Sequence, residues 1–404
     1  MHRKLWNKDF ILLLQGSAVS SLGDLMYSVA IGYWVYLATG STALMGVLSA
    51  ISMVVTMCLS PFSGSIVDKC NRKWVLVAMD LMQFAVMLTI GILAYLGKLT
   101  VPAVLTAAVL AALGSVFYSP AASTLMIDII PHDDMVRGQS IFSGTQSLIQ
   151  MAGTSFSGVV VAFFGVPLIV ILNGLSNLYS AVTELFVHVP KTVQQGTPVS
   201  AGRILQDTGK AVGVIFRDPS LRIFVPCALA VNLLASGPLT LVLPFTTEKG
   251  FPVEQYGYLM AVWMAASLAC VLLLGAIKLN PKARFWVLAV GFGFTGPFLM
   301  GAYLCNEFLP MCILVFVGAF LNSAGNTVFD ASMMLALPEE NRGAILGFIQ
   351  AASVGGSALS ALIYGLLGEV FPLYLVFTVG TALSMIPMVY MCIHPKTREF
   401  ILSH

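Results

Sequence analysis

Residues 64–74 read GSIVDKCNRKW and place four charged side chains, Asp68, Lys69, Arg72 and Lys73, between two runs of almost unbroken hydrocarbon. The flanking runs, 42–67 and 74–97, are each longer than the ~20 apolar residues needed to cross the ~30 Å hydrocarbon core of a bilayer. A charged turn between two spanning segments is the unit from which the chain is built. Working outward, further apolar segments fall at 10–38, 101–130, 136–164, 166–188, 221–247, 254–279, 284–305, 308–337, 340–369 and 371–394. They are continuously apolar instead of alternating, which predicts helices and not barrel strands. The expected fold is therefore an all-α polytopic membrane protein with twelve transmembrane helices.

Composition agrees. The chain has 404 residues, 58% hydrophobic and 9% charged, with a mean hydropathy of +0.91, too few charges to cover a soluble surface of that size. The formal charge of +2 is spread thinly between apolar runs and predicts no nucleic-acid partner. The N-terminal MHRKLWNKDF is basic, but the apolar run after it is too long for a secretory signal and is expected to stay as the first span. Seven cysteines show no C-x-x-C or His-paired spacing, so no metal and no cofactor is expected. Cys58 and Cys270 fall inside apolar runs as small core residues, and only nearness recommends a bridge between Cys305 and Cys312. No nucleophile–base pair and no G-x-x-x-x-G-K-[ST] occurs, which argues against an enzyme and against ATP-driven pumping by this chain.

Charge in the connections sets the orientation. With the N-terminus inside, all of the 20 Lys and Arg residues except Lys98 and Lys249 fall in cytoplasmic segments. A bias of that size predicts both termini in the cytoplasm, because a miscounted span would have scrambled it. The longest polar connection, 189–220, sits at the midpoint. Its GRILQDTGKAVGVIFRD has the spacing of a short amphipathic helix lying on the inner surface. This gives an N-terminal bundle over 1–188, a linker over 189–220 and a C-terminal bundle over 221–404.

The halves echo one another. Arg72 and Trp74 of GSIVDKCNRKWVLVA recur as Arg284 and Trp286 of GAIKLNPKARFWVLAV, and Arg137-Gly138 recurs as Arg342-Gly343. Both offsets are about half the chain, the sequence form of a transporter whose two halves rock about a central site. The opening stretch also carries a resemblance. G-x-x-x-D-[RK]-x-G-R-[RK] between spans two and three is the signature loop of the major facilitator superfamily, matched here by Gly64, Asp68, Lys69, Arg72 and Lys73. Asn71 stands where most members carry glycine, and asparagine is the residue next most willing to turn left-handed. The stretch NKDFILLLQGSAVSSLGDLMYSVAIGYWVYLATGS resembles the macrolide-efflux branch of its twelve-helix drug exporters.

That resemblance implies a fold of two six-helix halves, a small-molecule substrate, proton coupling and a monomer in the plasma (inner) membrane. It sets Asp68 against the start of span eleven near Gly343, where a carboxylate meets the positive end of a helix. Arg72 and Lys73 would brace Asp68, with Asp128 a further partner, and Gly64 would let spans two and eleven approach. Exporters of this kind often carry a glycine- and proline-rich motif in span five. This chain has only Gly153 and Gly158 in MAGTSFSG, without proline.

Polar residues inside the spans need a reason, since an acid at the bilayer centre costs at least ~2.5–3.5 kcal/mol. Asp24 lies midway along span one with no basic residue near it in sequence, on one face with Ser17, Ser21 and Ser28. A carboxyl buried without a cationic partner favours its protonated form, the property of a proton carrier. Asn322, Asn326 and Asp330 form a stripe in span ten, as do Asn232, Ser236 and Thr240 in span seven. Gln146 and Gln150 lie on a polar face of span five, and Gln350, Ser353, Ser357 and Ser360 on one of span eleven. We take Gln146, Gln150, Asn232, Asn322, Asn326 and Asp330 as cavity candidates, with Tyr27, Tyr118 and Trp263 as an apolar wall for a bulky substrate. Span six carries Asn173, Asn177, Ser180 and Glu184, although the resemblance makes that span peripheral; Glu184 is expected to snorkel or pair with the linker. The expected activity is proton-coupled efflux of amphipathic, macrolide- or drug-like compounds. The alternatives are a dedicated exporter or flippase for a siderophore or lysophospholipid and, less favoured, a non-transporting membrane sensor.

Overall fold

A computed structural model describes residues 5–67, 70–131, 134–188, 213, 215–217, 221–277, 280–336 and 342–395. The described chain is helical, and eleven of its helices are long and apolar enough to cross a membrane. In order they begin with α1 (Lys8–Thr39), α2 (Thr42–Val67), α3 (Arg72–Tyr95) and α4 (Val101–Ile129). The continuous run Met135–Leu185 turns back at Gly165, whose φ of 69° and ψ of 161° are open to glycine and strained for other residues. Its two arms are α5 (135–164) and α6 (166–185). Then come α7 (Leu221–Ala235), α8 (Gly237–Thr240), α9 (Val242–Glu248), α10 (Val253–Ala276), α11 (Pro281–Leu304), α12 (Phe308–Ala336), α13 (Arg342–Val370) and α14 (Leu373–Ile393).

Two compact units emerge: Met1–Gly40 with Ile51–Ser200, and Ser41–Ala50 with Ala201–His404. In the first, α6 lies against α1 and α3, so it belongs to the inside of the bundle and not to its periphery. Small residues allow this. A Cβ at Gly16 would lie 2.5 Å from Thr183 Oγ1, one at Gly23 2.3 Å from Ser176 Oγ, and one at Gly91 2.5 Å from Ile171 Cγ1. Close backbone approach is how helices associate where lipid removes the hydrophobic drive. The unit is closed at the N-terminal end of α1 by a core of Leu5, Phe10, Leu13, Val67, Leu76, Leu125, Met126 and Ile129. Asn7 locks the same end. Its Oδ1 accepts from Phe10 N at 2.8 Å as the cap of α1, and its Nδ2 donates to Ile129 O at 2.8 Å.

In the second unit the seventh apolar segment is broken twice, at Ser236 and Leu241. Broken backbone within a bilayer must find partners elsewhere in the protein. Here α13 supplies them. Tyr364 Oη donates to Leu234 O at 2.5 Å, and Ser360 Oγ accepts from Gly237 N at 2.8 Å. The polar stripe of span eleven is thus partly a splint for the break. The first turn of α2 packs in this unit too. Glu369 Oε1 accepts from Ser41 Oγ at 2.5 Å and from Ala43 N at 2.9 Å, while Thr42 Oγ1 donates to Gly365 O at 2.9 Å.

The backbones of α2 and α13 meet here at glycine. A Cβ at Gly46 would lie 2.4 Å from Ala361 O and one at Gly365 2.9 Å from Thr42 O. Because the obstacle is backbone, it cannot swing aside. Gly46→Val is expected to destabilise the protein by about 2 kcal/mol through overpacking, seen as a lower Tm in detergent.

One expectation for the signature loop is corrected. Asn71 is not left-handed: at φ −73° and ψ 109° it is the N-cap residue of α3, a position that requires extended backbone. Within its own unit Gly64 is not a packing glycine, since a Cβ there would meet nothing within 4 Å. The glycine contact of α2 with α13 lies at Gly46, at the opposite end of the helix. Asp68 and the stretch 189–212 of the amphipathic linker lie outside the described residues.

Candidate functional site

Each unit carries a partly open cavity, and the two differ in chemistry. The cavity of the first unit, about 270 Å³, is lined by Ser20, Ser21 and Asp24 of α1, Asp80 and Gln83 of α3, Ser115, Tyr118 and Ser119 of α4, Gln146 of α5 and Asn177 of α6, among others. No Lys, Arg or His is among its lining residues. Asp24 therefore faces a polar pocket shared with a second carboxyl. Asn173 and Asn177, on the stripe that had no role in sequence, are Asp24's amide neighbours across the helix interface. Tyr27, one turn on, is buried with its hydroxyl unpartnered.

Behind the pocket runs a hydrogen-bonded chain. Ser17 Oγ and Tyr118 Oη lie 2.8 Å apart, and Tyr118 Oη donates to Glu184 Oε1 at 2.9 Å. Glu184 is fully buried, so it does not snorkel. Its helix is turned inward by the packing of α6 on α1, which a one-dimensional reading of span six could not show. Asp80, 1% exposed, escaped the sequence reading. The insertion-cost argument that flagged Asp24 applied to it equally, and Gln83 three residues later marked the same face.

At the end of this unit the signature loop is held by Arg72, whose guanidinium pairs with the Asp128 carboxylate; the two side chains are only 14% and 16% exposed. Among the described residues, Lys73 meets carbonyls and no acid. Its Nζ donates to Leu185 O at 2.6 Å and Val187 O at 2.9 Å, the free carbonyls at the end of α6. A lysine suits that position, since the last carbonyls of a helix carry its negative dipole end. His188 N donates to Asp9 Oδ1 at 3.0 Å close by.

The cavity of the second unit, about 300 Å³, is mostly apolar. Its wall includes Phe245, Leu259, Met260, Trp263, Leu299, Tyr303, Phe377, Met385 and Met388, and its polar groups are Asn232, Ser236, Thr295, Asn322, Asn326, Thr381 and Ser384. Asn326 Nδ2 donates to Asn322 Oδ1 at 2.8 Å, so the stripe of α12 is a ladder. The break in α7–α9 opens onto this space, placing Asn232, Ser236, Pro238 and Val242 on the wall. No charged side chain lines it.

The cavity candidates thus divide. Asn232, Trp263, Asn322 and Asn326 line the apolar cavity, while Tyr118 and Gln146 line the acidic one. Gln150 and Asp330 line neither, and both are exposed. Of the three proposed wall residues, Tyr27 and Tyr118 belong to the first unit and Trp263 to the second. The sequence reading missed Phe245, Tyr303 and Phe377, whose rings stack or meet edge-on at 5.0–5.7 Å. Aromatic residues are common in every span, so nothing set these apart before the helices were placed. All the described cysteines, Cys305 and Cys312 included, are free thiols. Among the described residues, no three His, Cys, Asp or Glu side chains are grouped to hold a metal.

A helical chain with eleven helices long and apolar enough to cross a membrane and a cavity in each of two units has the build of a transporter. The profile of the Major Facilitator Superfamily matches residues 13–301, most of the chain, and the protein belongs to that family. Similar proteins include macrolide efflux protein A of Streptococcus pyogenes, 21% identical over 46% of this chain and 46% of that one. The chain spans about half the length of that relative. The staphyloferrin A transporter of Staphylococcus aureus is 20% identical over 93% of this chain and 94% of its own. Among solved structures, a bacterial homologue of the human lysosomal transporter Spinster, inward-facing and unoccupied, superposes with a TM-score of 0.71 at 14% identity, covering 98% of this chain and 97% of that one. At that identity the likeness concerns the fold.

Proposed function

We propose that this transporter is a proton-coupled exporter of neutral or cationic amphipathic compounds, macrolide- or drug-like, working by alternating access. In this reading it has twelve spans with both termini cytoplasmic and acts as a monomer in the plasma membrane. The single observation that carries it is Asp24, held in a pocket with a second carboxyl and no basic residue in its wall. Such a carboxyl binds a proton in place of a counter-charge and can release it when water reaches it from the other side. The apolar cavity supports the choice of substrate. Aromatic and thioether side chains offer adaptable contact to a bulky hydrocarbon skeleton, and the Asn232 and Asn322–Asn326 amides can bond its carbonyls and hydroxyls.

Resemblance to a staphyloferrin A transporter keeps a siderophore exporter as the second reading. Against it stands the lining of both cavities, which has no Lys or Arg to match a polyanionic ligand. Proteoliposomes with an imposed pH gradient decide between them. Efflux of a macrolide or a cationic dye, driven by the gradient, is the expected outcome. Movement of a carboxylate siderophore with no response to amphipathic compounds would overturn the reading. Trp263→Ala should raise the substrate concentration for half-maximal transport about tenfold while leaving proton coupling intact, as for loss of an aromatic anchor.

A further inference from the structure

We propose that Asp80 of α3 and Glu184 of α6 form a second proton-binding site, separate from Asp24, in which two carboxyls share one proton and Tyr118 links them to α1. The inference deepens the proton-coupled reading, on which it rests for the identity of the ion. Both side chains are buried, at 1% and 0% exposure. One oxygen of each, Asp80 Oδ2 and Glu184 Oε2, has no hydrogen-bond partner. Two orphan carboxyl oxygens in one buried region are a costly arrangement if both groups are charged. Geometry brings them to one place: Tyr118, bonded to Glu184, lines the same pocket as Asp80, and the Ser180 hydroxyl stands 3.5 Å from Glu184 Oε1. A single proton resolves the arrangement by turning one carboxyl into an O–H donor and leaving the other as its acceptor.

Among the described residues, the buried polar groups of the surrounding helices and the cavity lining include no positive charge. Ser17, Ser20, Asp24 and Tyr27 stand on α1, Gln83 on α3, Tyr118 on α4, and Asn173, Asn177, Ser180 and Thr183 on α6 itself. The nearest described bases are engaged at the end of the unit: Lys73 with the carbonyls of Leu185 and Val187, Arg72 with Asp128, and His188 with Asp9. An independent sign that the region takes a ligand is Asn177. It is fully buried, lines the pocket, and its Oδ1 is unpartnered. The Ser17–Tyr118–Glu184 chain then supplies a hydroxyl route between the pair and the face of α1 that bears Asp24. Loading adds one H⁺ to the doubly negative pair, and release returns it to water in the pocket. No other bond changes.

The test uses the full-length protein and two independent readouts. Infrared difference spectra in H₂O and D₂O report the protonated carboxyl directly. The band assigned to the pair should vanish in both Glu184→Gln and Asp80→Asn, because a shared proton needs both partners. In proteoliposomes the protons moved per substrate should fall by about half in either variant, one of two sites being lost. Tyr118→Phe should keep the band but slow proton movement about tenfold, which a merely structural tyrosine would not do. Monodisperse elution and an unchanged Tm certify that each variant is folded. A band that survives both carboxyl substitutions, or an unaltered proton-to-substrate ratio, overturns the proposal and leaves the role of Asp24 standing. If the wild type shows no pH-driven transport, the proposed function fails, while the infrared comparison still decides the pair.

Discussion

Asp24→Asn is expected to abolish substrate-driven proton movement, at the Asp80–Glu184 pair as well because its proton leaves along the face of α1 that bears Asp24, lowering pH-gradient-driven efflux by about a hundredfold or more while leaving the protein folded. Asparagine keeps the volume and one oxygen of the aspartate, so the amides of Asn173 and Asn177 and the packing of α1 on α6 through Gly16 and Gly23 persist. What it removes is the one property the pocket has no substitute for, a group that gains and loses a proton on α1. Downhill exchange of substrate in the absence of a gradient should survive, because the apolar cavity in the second unit has no part in that chemistry. Counterflow of labelled substrate in liposomes separates the two processes. A variant that still acidifies or alkalinises the lumen when substrate is added would remove Asp24 from the proton path.

The second large effect concerns the charged loop at residues 64–74. Arg72→Ala is expected to cost about 3 kcal/mol of stability, because it leaves the Asp128 carboxylate largely buried without its guanidinium. The pair is 14% and 16% exposed, so water screens it poorly. Arg72→Ala combined with Asp128→Ala should recover most of that loss, since no uncompensated charge then remains. The double-mutant cycle read from thermal unfolding in detergent supplies the coupling energy. Simple additivity would show that the pair is a surface anchor of the loop and nothing more. Lys73→Ala should do less, because water can take over the carbonyls of Leu185 and Val187 at the rim of the bundle.

Much of the architecture was legible because the bilayer imposes it. A span must be apolar over its whole length, and a connection must hold whatever charge the chain carries. Hydropathy therefore located the helices, down to the turn at Gly165, where GVP separates two runs that are otherwise continuous helix. The same logic found Asp24, since a lone acid in the middle of a span stands out against hydrocarbon. The same signal marks Asp80, an acid in the apolar run of α3 with Gln83 on the same face. Glu184 was visible as an acid but was sent the wrong way, because near the end of a span an outward and an inward carboxyl look alike in one dimension.

What the sequence by itself determined was membrane class, the positions of the spans and the residue types with no reason to lie in lipid. Those follow from solvation, which acts on each residue separately. Only the tertiary structure decided which polar residues meet. It gathered Asp24, Asp80, Tyr118, Asn177 and Glu184 from four helices into one region of the first unit, and set Trp263, Tyr303, Asn232 and Asn322 around an uncharged cavity in the second. It also gave Arg72 to Asp128 and Lys73 to the end of α6. These assignments depend on how each helix is rotated about its own axis. That rotation is fixed by glycine contacts such as Gly16 on Thr183 and Gly46 on Ala361, and a list of spans contains no information about it.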